Sequence, residues 1–257
     1  MNFNENQFEN LVFQGEEKEV ELLSSQTVII REPNFADQGI LSRRGDAMDG
    51  SNILNYLSNL IVKDWAGKKV TTETIMDWKV SDIYYLLFKQ RTLFDGSDLE
   101  FEFACSNPKC GLRDKPQKMT QDLKDFEMGA GFIYSAIPYP KKNEPQVTLQ
   151  LRSGKKIRYS ILTFRNYKKS LERNSSEEDN IAIITDRDAE WESPRGWEKI
   201  VNAAMFSAKE GSQMLASINK NDPFFDPFVK TECSACGQVS AQRVFSIPDF
   251  YYPEGAN

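Results

Sequence analysis

The sequence predicts a mixed α+β protein in which two similar strand–helix–strand units are joined by a module containing four cysteines. Three observations predict this class. Short runs of alternating apolar and polar residues are typical of strands, and longer runs with apolar residues three or four positions apart are typical of helices. Both kinds of run occur in each half of the chain. All four cysteines lie in two short turns, "CSNPKCG" at 105–111 and "CSACG" at 233–237.

The N-terminal residues predict an acidic arm followed by the first unit. Residues 1–21 carry six Glu and one Lys with few large apolar residues, so we assign residues 1–24 to an arm suited to a partner. "TVIIRE" at 27–32 is typical of a short strand that ends at Pro33. The following "NFADQGILSRRG" predicts a short helix or a turn.

Two helices and a strand complete the first unit, residues 25–135. Asp49 or Ser51 is a suitable N-cap for a helix that ends near Gly67, in "WAGKK". A second helix is predicted after Ser81, through "DIYYLLFKQRTLF". "LEFEF" at 99–103 is then a strand with its three apolar residues on one face, and it leads to Cys105.

The second unit, residues 136–257, follows a boundary rich in Pro and Lys, "AIPYPKKNEP". "QVTLQLRSGKKIRYSIL" predicts a hairpin that turns at Ser153-Gly154, and "FRNYKKSLER" predicts a helix. Ser193-Pro194 favours the start of another helix, because a missing N–H costs nothing in the first turn. "FVKTE" is a strand leading to Cys233. The similar order of elements reflects either an old duplication or two α+β units of similar length.

The cysteine pattern predicts one structural metal site with four ligands: Cys105, Cys110, Cys233 and Cys236. Zinc favours four thiolates in a tetrahedron, and two tight turns that each offer two sulfurs satisfy that geometry. Gly111 and Gly237 each follow the second cysteine of a turn, where glycine permits a left-handed backbone. Because 122 residues separate Cys110 from Cys233, the fold has to bring the turns together around an inserted domain. We therefore expect a zinc-ribbon-like module.

The same four cysteines are also compatible with chemistry that does not involve zinc. An iron–sulfur cluster takes four thiolates as well, and buried cysteines are often simply part of a core. Two short-range disulfides are disfavoured in a reducing cytosol. A four-thiolate site has no open coordination position, so the metal is expected to tie the two halves together rather than to act in catalysis.

Composition excludes several classes of function. The chain has no histidine, which removes Ser-His-Asp triads, Cys-His dyads and imidazole bases, and we expect no enzymatic activity. Its net charge of −6 is unfavourable for binding a phosphate backbone. No stretch approaches the length of a membrane span, and "MNFNENQFEN" lacks the pattern of a secretion signal.

Two charged blocks lie in the second unit. Residues 152–169 carry seven Lys or Arg and no acid, with Tyr159, Phe164 and Tyr167 interleaved, an arrangement that could stack bases. Residues 175–194 carry seven Asp or Glu and one Arg. The blocks either face each other or form separate solvated surfaces.

Part of the sequence resembles the baseplate hub and hub-assembly proteins of T-even-like bacteriophages. The resemblance lies in "TVIIREPNFADQGILSR", "GSNILNYLSNLIV" and "DWKVSDIYYLLFKQRTLFDGSDLEFEFACSNPKCG", and more loosely in the second half. Its matching positions are Asp82, Leu86 or Leu87, Arg91, Gly96 and Cys105.

The resemblance implies a structural or assembly component of a contractile tail baseplate, at or near the central hub. Such a protein would be present in several symmetric copies, contact other tail proteins, assemble in the host cytoplasm and reside in the virion. The C-terminal Phe250, Tyr251 and Tyr252 either pack onto the core or anchor a partner. The alternative function is a zinc-dependent nucleic-acid-binding or regulatory protein.

Overall fold

The first sheet consists of three antiparallel strands close to the N-terminus. They are β1 (Glu17–Glu21), β2 (Thr27–Arg31) and β3 (Ile61–Lys63). The structure is a computed structural model that describes residues 15–41, 50–128, 147–172, 184, 186–222, 225, 227–246 and 248–251. Val20 lies opposite Val28, and both are buried. Part of the predicted arm over 1–24 is therefore a core-forming strand, and residues 1–14 lie outside the described residues.

Four helices pack around this sheet: α1 (Phe35–Leu41), α2 (Ser51–Leu60), α3 (Thr72–Met76) and α4 (Val80–Phe94). The predicted extent of α2 is wrong at its C-terminal end. The helix stops at Leu60, because the β-branched Ile61 and Val62 begin β3, whose backbone pairs with β2. Gly67 instead lies in the turn after β3 with φ of 72°.

Two separate hairpins carry the cysteine turns. β4 (Asp98–Ala104) pairs with β5 (Pro116–Asp122), and β10 (Phe228–Glu232) pairs with β11 (Val239–Arg243). The predicted alternation in "LEFEF" is confirmed, since Leu99, Phe101 and Phe103 are buried while the two glutamates are exposed. Helix α5 (Lys124–Met128) follows β5, and α8 (Pro248–Tyr251) follows β11.

A four-stranded antiparallel sheet lies between the hairpins in the sequence. Its strands are β6 (Val147–Gln150), β7 (Lys156–Tyr159), β8 (Glu190–Ser193) and β9 (Gly196–Lys199), with helix α6 (Phe164–Glu172) between β7 and β8. The hairpin predicted at Ser153-Gly154 is confirmed, with Gly154 at φ of 89°.

The helix predicted to begin at Ser193-Pro194 is wrong. Those residues lie in the tight turn between β8 and β9, where Gly196 takes a positive φ of 113°. The helix begins later, as α7 (Ala208–Asn221), with Ser207 and Glu210 in a reciprocal capping box. This cap satisfies backbone donors at the helix start, whereas the Ser193 hydroxyl accepts the N–H of Arg195 within its turn.

Buried apolar residues form two cores. The first contains the N-terminal sheet, helices α2 and α4, and both cysteine hairpins. The second is formed by β6–β9 and α7, and its buried members are Leu151, Ile157, Tyr159, Ile184, Ala189, Ile200, Met214 and Ile218. The mixed α+β class is thus confirmed, with several small sheets. The C-terminal hairpin shares a core with the first half of the chain, so residues 147–222 contribute a second core inserted between the two cysteine turns.

Candidate metal centre

Each pair of cysteines is positioned by the end of a hairpin strand. Cys105 directly follows β4, and Cys110 lies in the turn that leads to β5. Cys233 directly follows β10, and Cys236 lies three residues later. The two hairpins pack on one core with these turns facing each other, so the predicted meeting of sulfurs across 122 residues is confirmed.

The four sulfurs have the spacing of ligands around one ion. All four Sγ atoms lie within 4.8 Å of one another. Cys105 Sγ is 3.7 Å from Cys236 Sγ, and Cys110 Sγ is 3.7 Å from Cys233 Sγ. A tetrahedral ion with metal–sulfur distances of about 2.3 Å has sulfurs about 3.8 Å apart. The cysteines are free thiols, since a disulfide would bring two sulfurs to about 2.05 Å. The donor set and the spacing therefore fit a tetrahedral metal ion.

Backbone amides orient the sulfurs. The N–H of Leu112 donates to Cys110 Sγ at 3.4 Å, and the N–H groups of Ala235 and Cys236 donate to the Cys233 sulfur. Such hydrogen bonds fix ligands and stabilise negative charge on them. Gly237 has the predicted left-handed backbone, with φ of 70°. The same prediction for Gly111 is wrong: the wider first turn places its positive φ at Asp114, at 56°.

The thiols influence one another's ionisation. The Cys233 sulfur accepts a hydrogen bond from the backbone N–H of Ala235, and this bond lowers the pKa of Cys233 to about 6. The N–H of Asn107 lowers the pKa of Cys105, but burial and hydrogen bonds with the other thiols outweigh it and raise that pKa to about 12. One thiolate forms readily, whereas further negative charge so close by is unfavourable. A bound cation would remove that cost.

Direct contacts join the two hairpins at the cysteine turns. Asn107 Nδ2 donates to Cys236 Sγ at 3.5 Å, and Ser234 Oγ donates to Gln117 Oε1 at 3.2 Å. Cys105, Cys110 and Cys233 are buried, whereas Cys236 is exposed. The site therefore lies at the edge of the first core, with one of its four ligands facing solvent.

An aromatic cluster attaches the C-terminal part of the chain to α4. The ring of Phe88 lies 5.4 Å from that of Phe225 and 6.4 Å from that of Phe250, and the ring of Phe245 lies 5.1 Å from that of Tyr84. These contacts flank the second hairpin on both sides in sequence. They hold it against the first core independently of the cysteines.

Of the residues predicted to pack on the core or to bind a partner, Phe250 packs on the core. Its side chain is 1% exposed and its ring lies 5.0 Å from that of Phe245. Tyr251 is half-buried beside it, and Tyr252 lies outside the described residues. The partner role predicted for this segment stays a prediction for the two tyrosines.

The basic block does not present its aromatic residues as a stacking surface. Tyr159 and Phe164 are fully buried, and Tyr167 is half-buried. Two of the basic residues instead face acidic residues of the other block, with Lys156 bound to Glu192 and Arg158 bound to Glu190. Among the described residues, the two blocks therefore meet on the outer face of the four-stranded sheet β6–β9.

Sequence reasoning missed a buried group of charges between the two cores. Arg187 Nε donates to Asp222 Oδ2 at 3.0 Å, and the backbone N–H of Leu162 donates to the same oxygen at 2.8 Å. Burial raises the pKa of Asp222, and it lowers the pKa of the fully buried Lys79 nearby. No local pattern indicates this cluster, because its members come from three distant segments.

No helix in the described part of the chain is long and apolar enough to cross a membrane. Comparison with known proteins finds no matching family model, no matching curated protein and no matching solved structure.

Proposed function

We propose that the four cysteines hold one structural zinc ion that clamps the two hairpins together. The observation that carries this proposal is the convergence of four sulfurs within 4.8 Å from two turns that are 122 residues apart. Four thiolates complete the coordination of zinc, so no position is left for a substrate or water. Contacts of 3.7 Å favour a single ion over a cubane iron–sulfur cluster, in which each iron takes its own thiolate and the sulfurs lie further apart.

Metal analysis of the purified protein tests this proposal. We expect about one zinc per chain and a colourless protein, whereas bound iron would absorb visible light. Cys105→Ser and Cys233→Ser, one in each turn, should lose metal to the same extent because both ligands serve one ion. Ser234→Ala is the matched control, since Ser234 lies in the second turn but is not a ligand. A metal content unchanged by either cysteine substitution would contradict the proposal.

The broader role we propose is that of a structural or assembly component of a contractile phage tail baseplate, at or near its hub. This role depends on the resemblance, and the residues that carry it are structural in this fold. Asp82 accepts the backbone N–H of Ser24 at 3.0 Å, Arg91 donates to carbonyl oxygens in the turn before β4, and Gly96 has φ of 88°. They position α4 and the first cysteine hairpin, so the motif describes a scaffold.

Location and association test this role. We expect the tagged protein to co-purify with tail components from infected cells, in several copies, and to be found at the baseplate in images of labelled virions. A chain that stays monomeric and binds no tail component would contradict the proposal. Salt-sensitive binding to DNA or RNA, weakened by neutralising Lys155, Lys168 and Lys169, would instead favour the regulatory alternative.

A further inference from the structure

We propose that oxidation converts the metal clamp into a disulfide clamp that still joins the two hairpins, and that the reaction begins at Cys236. This inference rests on the proposed zinc site. It concerns what the same four sulfurs do when the protein leaves reducing conditions. The observations that carry it are the unequal exposure of the four cysteines and the pairing of sulfurs across the hairpins.

Cys236 is the entry point for an oxidant. Three of the four cysteines are buried, with Cys105 at 0%, Cys233 at 1% and Cys110 at 8% exposure, whereas Cys236 is exposed. Oxidation of cysteine follows thiolate character and access. Coordination keeps all four sulfurs as thiolates, so access decides which of them reacts first.

One partner within contact distance of an oxidised Cys236 lies on the other hairpin. Cys105 Sγ lies 3.7 Å from Cys236 Sγ. Asn107 Nδ2, from the same turn as Cys105, donates to Cys236 Sγ. The second pair, Cys110 and Cys233, is also 3.7 Å apart and also joins the two hairpins. Short movements of the two turns therefore give cross-links between hairpins, connecting residues 131 and 123 positions apart.

Hydrogen peroxide serves as the two-electron oxidant. The Cys236 thiolate attacks one peroxide oxygen, the O–O bond breaks, and the departing hydroxide takes a proton to become water. The Cys105 thiolate then attacks the Cys236 sulfur, an S–S bond forms as the S–O bond breaks, and the departing hydroxide takes a second proton from solvent to become water. Two electrons pass from two thiolates to one peroxide. Two thiolates are then left for the zinc ion, which leaves without changing its oxidation state.

The buried pair Cys110 and Cys233 follows with a second peroxide in the same way. Because both disulfides span the hairpins, the two parts of the first core stay joined after the metal is lost. The linkage changes from one that a chelator opens to one that a reductant opens. For a protein made in a reducing cytoplasm and carried in a particle outside the cell, this change preserves the clamp.

Trypsin cleavage distinguishes disulfides between the two hairpins from disulfides within one hairpin. It leaves Cys105 in a peptide of residues 92–109, Cys110 in residues 110–113, and both Cys233 and Cys236 in residues 231–243. The experiment treats the zinc-loaded full chain with limiting hydrogen peroxide, measures released zinc with a chromophoric chelator, and maps peptides by mass spectrometry without reduction. We expect loss of the bound zinc together with a cross-link between peptides 92–109 and 231–243.

The other pairings give different products. An internally closed peptide 231–243, or peptide 92–109 joined to 110–113, would show disulfides within each hairpin and would overturn the proposal. Zinc kept by a chain whose cysteines are oxidised would also overturn it. A second readout is thermal unfolding: after oxidation, the midpoint should become insensitive to EDTA and sensitive to dithiothreitol, the reverse of the reduced chain.

Failure of the zinc assignment is distinguishable from failure of this inference. If the purified chain carries no metal, the assignment fails, yet the peptide map of the oxidised metal-free chain still reports which sulfurs pair. A cross-link between hairpins in that chain would support the pairing without the metal. Disulfides within each hairpin would contradict it in either state.

Discussion

A substitution at Gly50 tests how the inserted segment is held against the first core. Gly50 precedes α2 with φ of 73°, and a Cβ atom added there would lie 2.7 Å from Cζ of Phe164 in α6. The Phe164 ring is fully buried and packs edge-on against Tyr167 at 5.6 Å, so a shift of the ring would disturb packed neighbours. Gly50→Ala therefore combines a strained backbone with a steric overlap.

The two costs can be estimated separately. A left-handed backbone costs a non-glycine residue about 1–2 kcal/mol, and overpacking a filled core costs about 1–3 kcal/mol. We expect Gly50→Ala to lower the free energy of unfolding by about 2–5 kcal/mol. Gly67→Ala is the matched control, because Gly67 has nearly the same φ of 72° but nothing within 4 Å of its added Cβ. It should cost only the backbone part, about 1–2 kcal/mol.

Urea unfolding followed by circular dichroism, with zinc and reductant held constant, measures the difference between the two variants. The double variant Gly50→Ala/Phe164→Leu removes the distal ring atoms and should recover part of the loss. If Gly50→Ala and Gly67→Ala were equally stable, the overlap would be absent. The reasoning about the contact between α2 and α6 would then be refuted.

Three further substitutions test other parts of the structure. Phe250→Ala should lower the free energy of unfolding by about 3–5 kcal/mol, because that ring is buried. Phe35, at 86% exposure, provides the control: Phe35→Ala should stay within about 0.5 kcal/mol of the parent in urea unfolding. Asp222→Asn removes one charge of the buried pair with Arg187 and should cost about 3–5 kcal/mol. Asp114→Asn, in an exposed pair with Arg113, should cost about 0–1 kcal/mol. Hydrogen bonding from Ser153 lowers the pKa of Glu210 from 4.5 to about 2, so the stability it contributes is present above pH 4.5 and is lost as the pH falls towards 2. Glu210→Gln should flatten the dependence of melting temperature on pH in that window, and an unchanged profile would contradict this assignment.

Local patterns predicted the elements whose residue spacing and turn residues fit only one structure. The alternation in "LEFEF", the hairpin at Ser153-Gly154 and the helix Val80–Phe94 follow directly from spacing and turn chemistry. The errors occur where one signal fits two structures. Ser193-Pro194 suits a helix start and a hairpin turn equally, and the decisive residue is Gly196, with "EWES" and "GWEK" pairing around it.

The candidate site was predictable to the level of its ligands. Four cysteines in two short turns, with histidine absent from the sequence, indicate one site even across 122 residues. The conformation of the first turn was not predictable, because the four residues between its cysteines allow more than one backbone path. The group formed by Arg187, Asp222 and Lys79 was equally hidden, since long-range packing alone brings its members together.

The proposed metal is expected to contribute stability without being the only link between the hairpins. A structural metal binds the folded site, so its binding free energy adds to the free energy of unfolding. The rings of Phe88, Phe225, Phe245 and Phe250 hold the same hairpin by packing, which chelation does not remove. EDTA added to the reduced chain should therefore lower the melting temperature while a single cooperative transition remains, unlike small zinc modules that unfold without metal. Complete loss of structure on chelation, seen by circular dichroism, would show that the aromatic cluster cannot hold the hairpin alone. An unchanged melting temperature would show that the metal adds nothing to the fold.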